Sequence, residues 1–142
     1  MVQEILATLE DYADAYCAKD ITAMMALFDD SNDIAVIGTG RNELCIGQDE
    51  VRALFLNNFA QAQANKFEWG WHHIIFNEDH STTYATVAIA LIIHLELDGQ
   101  LMQVPIRWTV SMKKTDRWRW LHRHASSPAD CQADEQAYPV KD

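Results

Sequence analysis

No apolar run in this sequence is long enough for a helix to span a bilayer; the longest, Val87 to Ile93, falls far short. No basic segment leads into an apolar stretch near the start, so a secretory signal is not expected and a cytoplasmic protein is. Cysteine is scarce. Cys17, Cys45 and Cys131 show no C-x-x-C spacing, and three thiols suit a reducing compartment better than a disulfide framework. Basic residues are also few, at 11 Lys and Arg against 21 Asp and Glu, giving a formal net charge of −10. That balance argues against nucleic acid as a partner, because backbone-directed binding needs a broad basic footprint. Repeats, internal linkers and low-complexity tracts are missing too.

What is present is enough for a core. The 142 residues are 49% hydrophobic and 10% aromatic, which fits one folded domain over residues 1–128 and a polar, acidic tail over 129–142. Charge is unevenly spread. Residues 1–50 carry eleven acids against Lys19 and Arg41, whereas Arg107 to Arg123 holds six bases against Asp116.

Ile5, Leu9, Tyr12 and Tyr16 recur at helical spacing and predict a first helix. Asp20 can cap a short second helix, Ile21 to Phe28. A strand over Ile34–Ile37, a break at Gly38-Thr39-Gly40 and a return strand at Leu44–Ile46 come next. A third helix is expected from about Gln48 to Ala64, burying Val51, Leu54, Phe55 and Phe59. From Lys66 onward the pattern is strand: Phe67–Asn77, Thr82–Leu97, Gln100–Lys114 and Arg117–Ser126.

Asp98-Gly99 is a two-residue hairpin turn, since Asp and Gly tolerate the positive φ it demands. It sets Leu97 opposite Gln100, and hence Ile93 opposite Val104, Leu91 opposite Ile106, Ile89 opposite Trp108 and Val87 opposite Val110. All of these pairs are apolar, and the opposite face pairs Ala90 with Arg107 and Ala88 with Thr109. A slip of one residue would mix the faces, so the register is well specified. For the last hairpin, a three-residue loop at Thr115-Asp116-Arg117 sets Val110 opposite His122 and Trp108 opposite His124. The two-residue alternative buries Arg119 and Arg123, which is costly, so the first register is expected. On the same logic Phe67, Trp69, Trp71, His73 and Ile75 face inward.

The order helix, helix, short hairpin, helix and four long strands resembles the NTF2-like superfamily, and its SnoaL-like branch in particular. Two stretches carry the likeness. Ile37-Gly38-Thr39-Gly40, with Glu43 and Gly47, resembles that group's first hairpin, and Trp118-Arg119-Trp120-Leu121-His122-Arg123-His124-Ala125-Ser126 resembles its last strand. The resemblance implies an α+β, cystatin-like cone: three N-terminal helices packed on a strongly curved, mostly antiparallel sheet. It does not fix an activity, because the superfamily includes isomerases, dehydratases, cyclases, transport factors and kinase-association domains.

An apolar wall bearing aromatic plates and a few polar groups suits a small, mostly apolar ligand. The expected pocket residues are Tyr12, Tyr16, Trp69, Trp71, Trp108 and Trp120. The candidate catalytic groups are His122, His124, His73 and Tyr16, with imidazole as base and phenol as donor in an isomerase, dehydratase or cyclase. Mid-strand carboxylates, on which several superfamily chemistries rely, are missing from the expected inner face. His122-x-His124 has the spacing of a strand pair of metal ligands, but His73 lies three strands away, so neither metal nor cofactor is expected. The alternative reading is a non-catalytic ligand-sensing or protein-association domain. A homodimer is expected through the outer sheet face, using Ala88, Ala90, Arg107, Thr109, Leu121 and Arg123.

Overall fold

The computed structural model describes residues 1–130 and 132–138; Cys131 and residues 139–142 of the expected tail lie outside the described residues. The elements run α1 (Val2–Ala18), α2 (Ile21–Ala26), β1 (Ala35–Ile37), β2 (Leu44–Ile46), α3 (Gly47–Gln61), β3 (Gln63–Asp79), β4 (Thr82–Leu97), β5 (Gln100–Lys114) and β6 (Trp118–Ser126). The six strands form one curved sheet in the order β2-β1-β6-β5-β4-β3. All neighbours are antiparallel except β1 and β6, which run parallel. Helices cover one face of the sheet. This is the expected α+β cone. Among the described residues no helix is long and apolar enough to cross a membrane.

Local chemistry explains the element ends. The Asp20 carboxylate accepts from the Ala23 amide at 3.0 Å and caps α2. That helix stops two residues short of the expectation because Leu27 to Asp29 pair with the last strand instead. The Trp120 amide donates to the Leu27 carbonyl at 2.8 Å, and the Asp29 amide to the Trp120 carbonyl at 2.9 Å. The third helix ends at Gln61, with Ala62 already extended, and β3 starts at Gln63 rather than Phe67. The Gln63 side-chain amide ties this early start to α1 by donating to the Cys17 carbonyl at 2.8 Å.

The β4–β5 hairpin has the expected register throughout, with Val87 opposite Val110 and Ile89 opposite Trp108. Asp98 (φ 51°) and Gly99 (φ 79°) take the positive φ values that the tight turn needs. Two registers need correction. Lys114 pairs with Trp118 and Met112 with Trp120, as the three-residue loop requires, but an extra residue then enters β6 beside Ser111. Beyond this bulge Ser111 meets His122, Val110 meets Arg123 and Thr109 meets His124, so Arg123 turns inward and both histidines turn outward. The bulge sits where β6 changes neighbours, from Leu27–Asp29 beside Trp120 to β1 beside residues 122–124.

A second bulge interrupts β3 between Trp69 and His72. Phe67 and Trp69 face the helices as expected. Past the bulge Ile74 shares a row with buried Val87, while His73 shares one with Ala88 on the outer face. Trp71, 68% exposed, His73 and Ile75 therefore lie outside rather than in the core.

An aromatic stack centres the core. Tyr12 of α1 lies face to face with Trp120 (centroids 5.2 Å apart, planes 10° apart) and edge-on to Trp108 at 4.7 Å. Such pairs each add about 0.5–1.5 kcal/mol beyond area burial. Trp120 is fully buried, and its indole N–H donates to the Thr8 hydroxyl at 3.0 Å.

Candidate functional site

The cavity follows from the shape of the sheet. Ile93 and Leu95 of β4 and Val104 and Ile106 of β5 share the inner face and border open space there. A cavity of about 420 Å³ is left between these side chains, α1, the end of α3 and the β1–β2 loop. Its mouth is rimmed by exposed Gln61, Leu97 and Met102. Its far wall carries Tyr12, Tyr16, Trp108 and Arg123.

Arg123 is the unusual member. Only 5% exposed, it stands among apolar and aromatic residues, and among the described residues it forms no ion pair. One terminal nitrogen donates to the Tyr12 hydroxyl at 2.7 Å, and the other makes a long contact of 3.5 Å to the Ile37 carbonyl. The Nε–H is buried without an acceptor. Aromatic faces supply part of what water would: the guanidinium carbon lies 5.6 Å from the Trp108 ring centre and 5.8 Å from that of Phe55. Contacts of this kind are worth about 0.5–2 kcal/mol, well below the cost of burying an unpaired charge.

The tyrosines are held protonated. Burial pushes the Tyr16 phenol above its ordinary value, although Arg123 draws it back, and burial does the same more strongly to Tyr12. Asn58 of α3 stands beside the Tyr16 hydroxyl. Glu43, half-buried on the cavity wall, is held by the loop that precedes it. The Gly40 amide donates to Glu43 Oε1 at 2.7 Å, and a Cβ at either Gly38 or Gly40 would sit 2.6 Å from that oxygen. The Gly-Thr-Gly break is thus a cradle for this carboxylate.

Of the pocket residues expected from sequence, Tyr12, Tyr16 and Trp108 line this cavity. Trp69 lines a separate cleft with Leu6, Glu10 and His72, its indole N–H donating to Glu10 at 2.6 Å. Trp120 is core and Trp71 is on the outer surface. His73, His122 and His124 are off the cavity. The His122 and His124 rings lie side by side with centroids 6.3 Å apart, and His122 Nδ1 is 2.9 Å from the Ala35 carbonyl of β1. Arg123, Glu43, Asn58 and Gln61 were not expected at the site. Glu43 stood in the first-hairpin motif, and Ile93, Val104 and Ile106 were placed on the inner face by the hairpin register. Cys17 and Cys45 are half-buried free thiols, each raised above the ordinary value by burial.

A family model described as the SnoaL-like domain matches residues 5–130. Solved structures with the same fold include a Xanthomonas campestris protein described as a calcium/calmodulin-dependent protein kinase II association domain. It is 17% identical, with 92% of this chain and 89% of that one covered and a TM-score of 0.78. A Streptomyces avermitilis protein described as a dehydratase of the NTF2-like family is 14% identical, with coverage of 90% and 97% and a TM-score of 0.66. A ketosteroid isomerase-like protein from Erwinia carotovora atroseptica is 18% identical, with coverage of 89% and 95% and a TM-score of 0.62. At these identities the likeness is one of fold. No curated protein matches the chain.

Proposed function

Because this chain belongs to the SnoaL-like domain family, we propose that it binds a small, mostly apolar molecule in the cavity between α1, α3 and the inner face of β4, β5 and β6. The observation that carries this reading is the division of the cavity wall. Ile93, Leu95, Val104 and Ile106 make one side apolar, while Tyr16, Glu43, Asn58 and Arg123 gather polar groups on the other. A few convergent polar groups in an apolar cavity fix a ligand's orientation. A volume of about 420 Å³ suits a compact organic molecule rather than a peptide. The groups positioned to hold or move a proton are Tyr16 and Glu43. Imidazole chemistry at the cavity is not part of the reading, because the histidines lie outside it.

The test is a thermal-shift screen of small aromatic and aliphatic compounds on the wild-type chain and on Leu95→Trp, which narrows the apolar end at a half-exposed position. Compounds that raise the wild-type Tm should leave the variant's Tm unmoved. A set that stabilises both equally would remove the cavity from the account.

The outer face supports a second reading, in which the domain also associates with another protein, here a second copy of itself. Trp71 and Ile75 on β3 and Leu44 and Ile46 on β2 are exposed at the two edges of a face whose middle carries Ala88, Ala90 and Thr109. The Xanthomonas campestris protein of this fold is described as an association domain. Arg123, expected in this interface, is withdrawn from it by the β6 bulge.

A further inference from the structure

Arg123 brings a positive charge to the cavity wall, and among the described residues no carboxylate pairs with it. An arginine keeps its charge inside proteins and offers five N–H donors in a flat fork. Two of those donors reach acceptors, the Tyr12 hydroxyl and, at 3.5 Å, the Ile37 carbonyl. The Nε–H has none and is closed off from water. A buried donor of this kind is rare in a folded protein, and it marks a guanidinium that its own surroundings leave under-satisfied.

The obvious internal counter-ion is turned elsewhere. Glu43 shares the cavity, but its Oε1 is taken by the Gly40 amide, and the side chain fills the space that two missing Cβ atoms leave. The sequence therefore spends two glycines on keeping this carboxylate in the loop.

We propose that the cavity takes a small monocarboxylate with an apolar body, its carboxylate on the Arg123 guanidinium and its body against Ile93, Val104 and Ile106. This deepens the reading of the cavity as a ligand site and rests on it. One charge is the right number. A single arginine balances a single carboxylate, whereas a phosphate dianion would bring excess charge beside Glu43 on the same wall. The fork matches a planar two-oxygen group, and the two terminal nitrogens, one of them held only by the 3.5 Å contact, keep N–H donors to form it. The protonated Tyr16 hydroxyl is a further donor on the same wall.

The experiment compares 3-phenylpropanoate with 3-phenylpropanamide, which share shape and differ in charge, by calorimetric titration of the full chain at neutral pH. The wild type should prefer the carboxylate by about tenfold to a hundredfold, the range of a charge-assisted hydrogen bond. Arg123→Met should abolish that preference while still binding the amide, and Arg123→Lys should keep part of it, as charge without the fork. A readout on the unaltered protein guards against a variant that fails to fold. The Arg123 guanidinium N–H signals should move downfield with 3-phenylpropanoate and stay in place with the amide. Equal binding of the two probes, or guanidinium N–H signals that neither moves, would overturn the carboxylate assignment and leave the cavity reading standing. Binding of neither probe, while other small compounds bind in the cavity, would overturn the assignment alone. A cavity that takes no small molecule would overturn both.

Discussion

Arg123 and its neighbour His122 exchange the positions that the sequence suggests, and one physical rule accounts for the error. Burying an unpaired guanidinium is costly, so a reading from sequence places it outside and the histidines inside. The protein meets that cost in part with Tyr12, Trp108 and Phe55, none of which is adjacent in sequence. Tyr12→Phe removes the shortest of these contacts and leaves a buried N–H without an acceptor. It should lower stability by about 1–3 kcal/mol, read as a fall of several degrees in thermal denaturation. His124→Gln, by contrast, should leave both Tm and probe affinity unchanged, since that ring lies on the exposed outer face. A change in probe affinity for that variant would put the histidine back in the site. The pH dependence of probe binding separates the same roles. The probe's own carboxyl titrates near pH 4–5. Affinity for 3-phenylpropanoate should therefore hold across neutral pH and fall by about tenfold per unit below that range, with the amide unaffected.

At the level of elements, legibility depended on whether a local signal set the register. The β4–β5 hairpin was readable to the residue because Asp98-Gly99 fixes the turn and every inner pair is apolar. The bulges in β3 and β6 were not, because an inserted residue reverses the alternation without leaving a sequence mark of its own. Gly70, in the β3 bulge, is a partial exception: a Cβ there would come within 3.1 Å of the Ala90 carbonyl. The β6 bulge depends on pairing with Leu27–Asp29 and β1, which lie about ninety residues away in sequence. The β1–β2 loop offers a test of design at this scale. Gly40→Ala should barely alter Tm, because Gly40 is not in the left-handed region and the crowded atom is the movable end of Glu43. It should, however, free that carboxylate toward the cavity and weaken 3-phenylpropanoate more than its amide, by calorimetric titration. Equal weakening of both probes would mean that the cradle serves the loop alone.

For the whole molecule, a six-stranded sheet with helices on one face leaves the other face in need of cover. Exposed Trp71, Ile75, Leu44 and Ile46 mark where a second copy would sit. Light scattering should report a dimer at micromolar concentration, and Trp71→Asp should shift it toward monomer without disturbing the cavity on the opposite face. A wild-type monomer at high micromolar concentration would remove the interface from the account. The fold itself was legible because helix periodicity, turn chemistry and strand length agree along the chain. The inward Arg123, on which the proposed ligand's charge rests, was not, because a bulge turns that single side chain inward. A crystal structure of the chain with 3-phenylpropanoate tests that point most directly. The carboxylate should lie within hydrogen-bond distance of the Arg123 terminal nitrogens, with the ring against Ile93 and Val104. Density for the probe anywhere else, with Glu43 swung onto Arg123, would contradict the account.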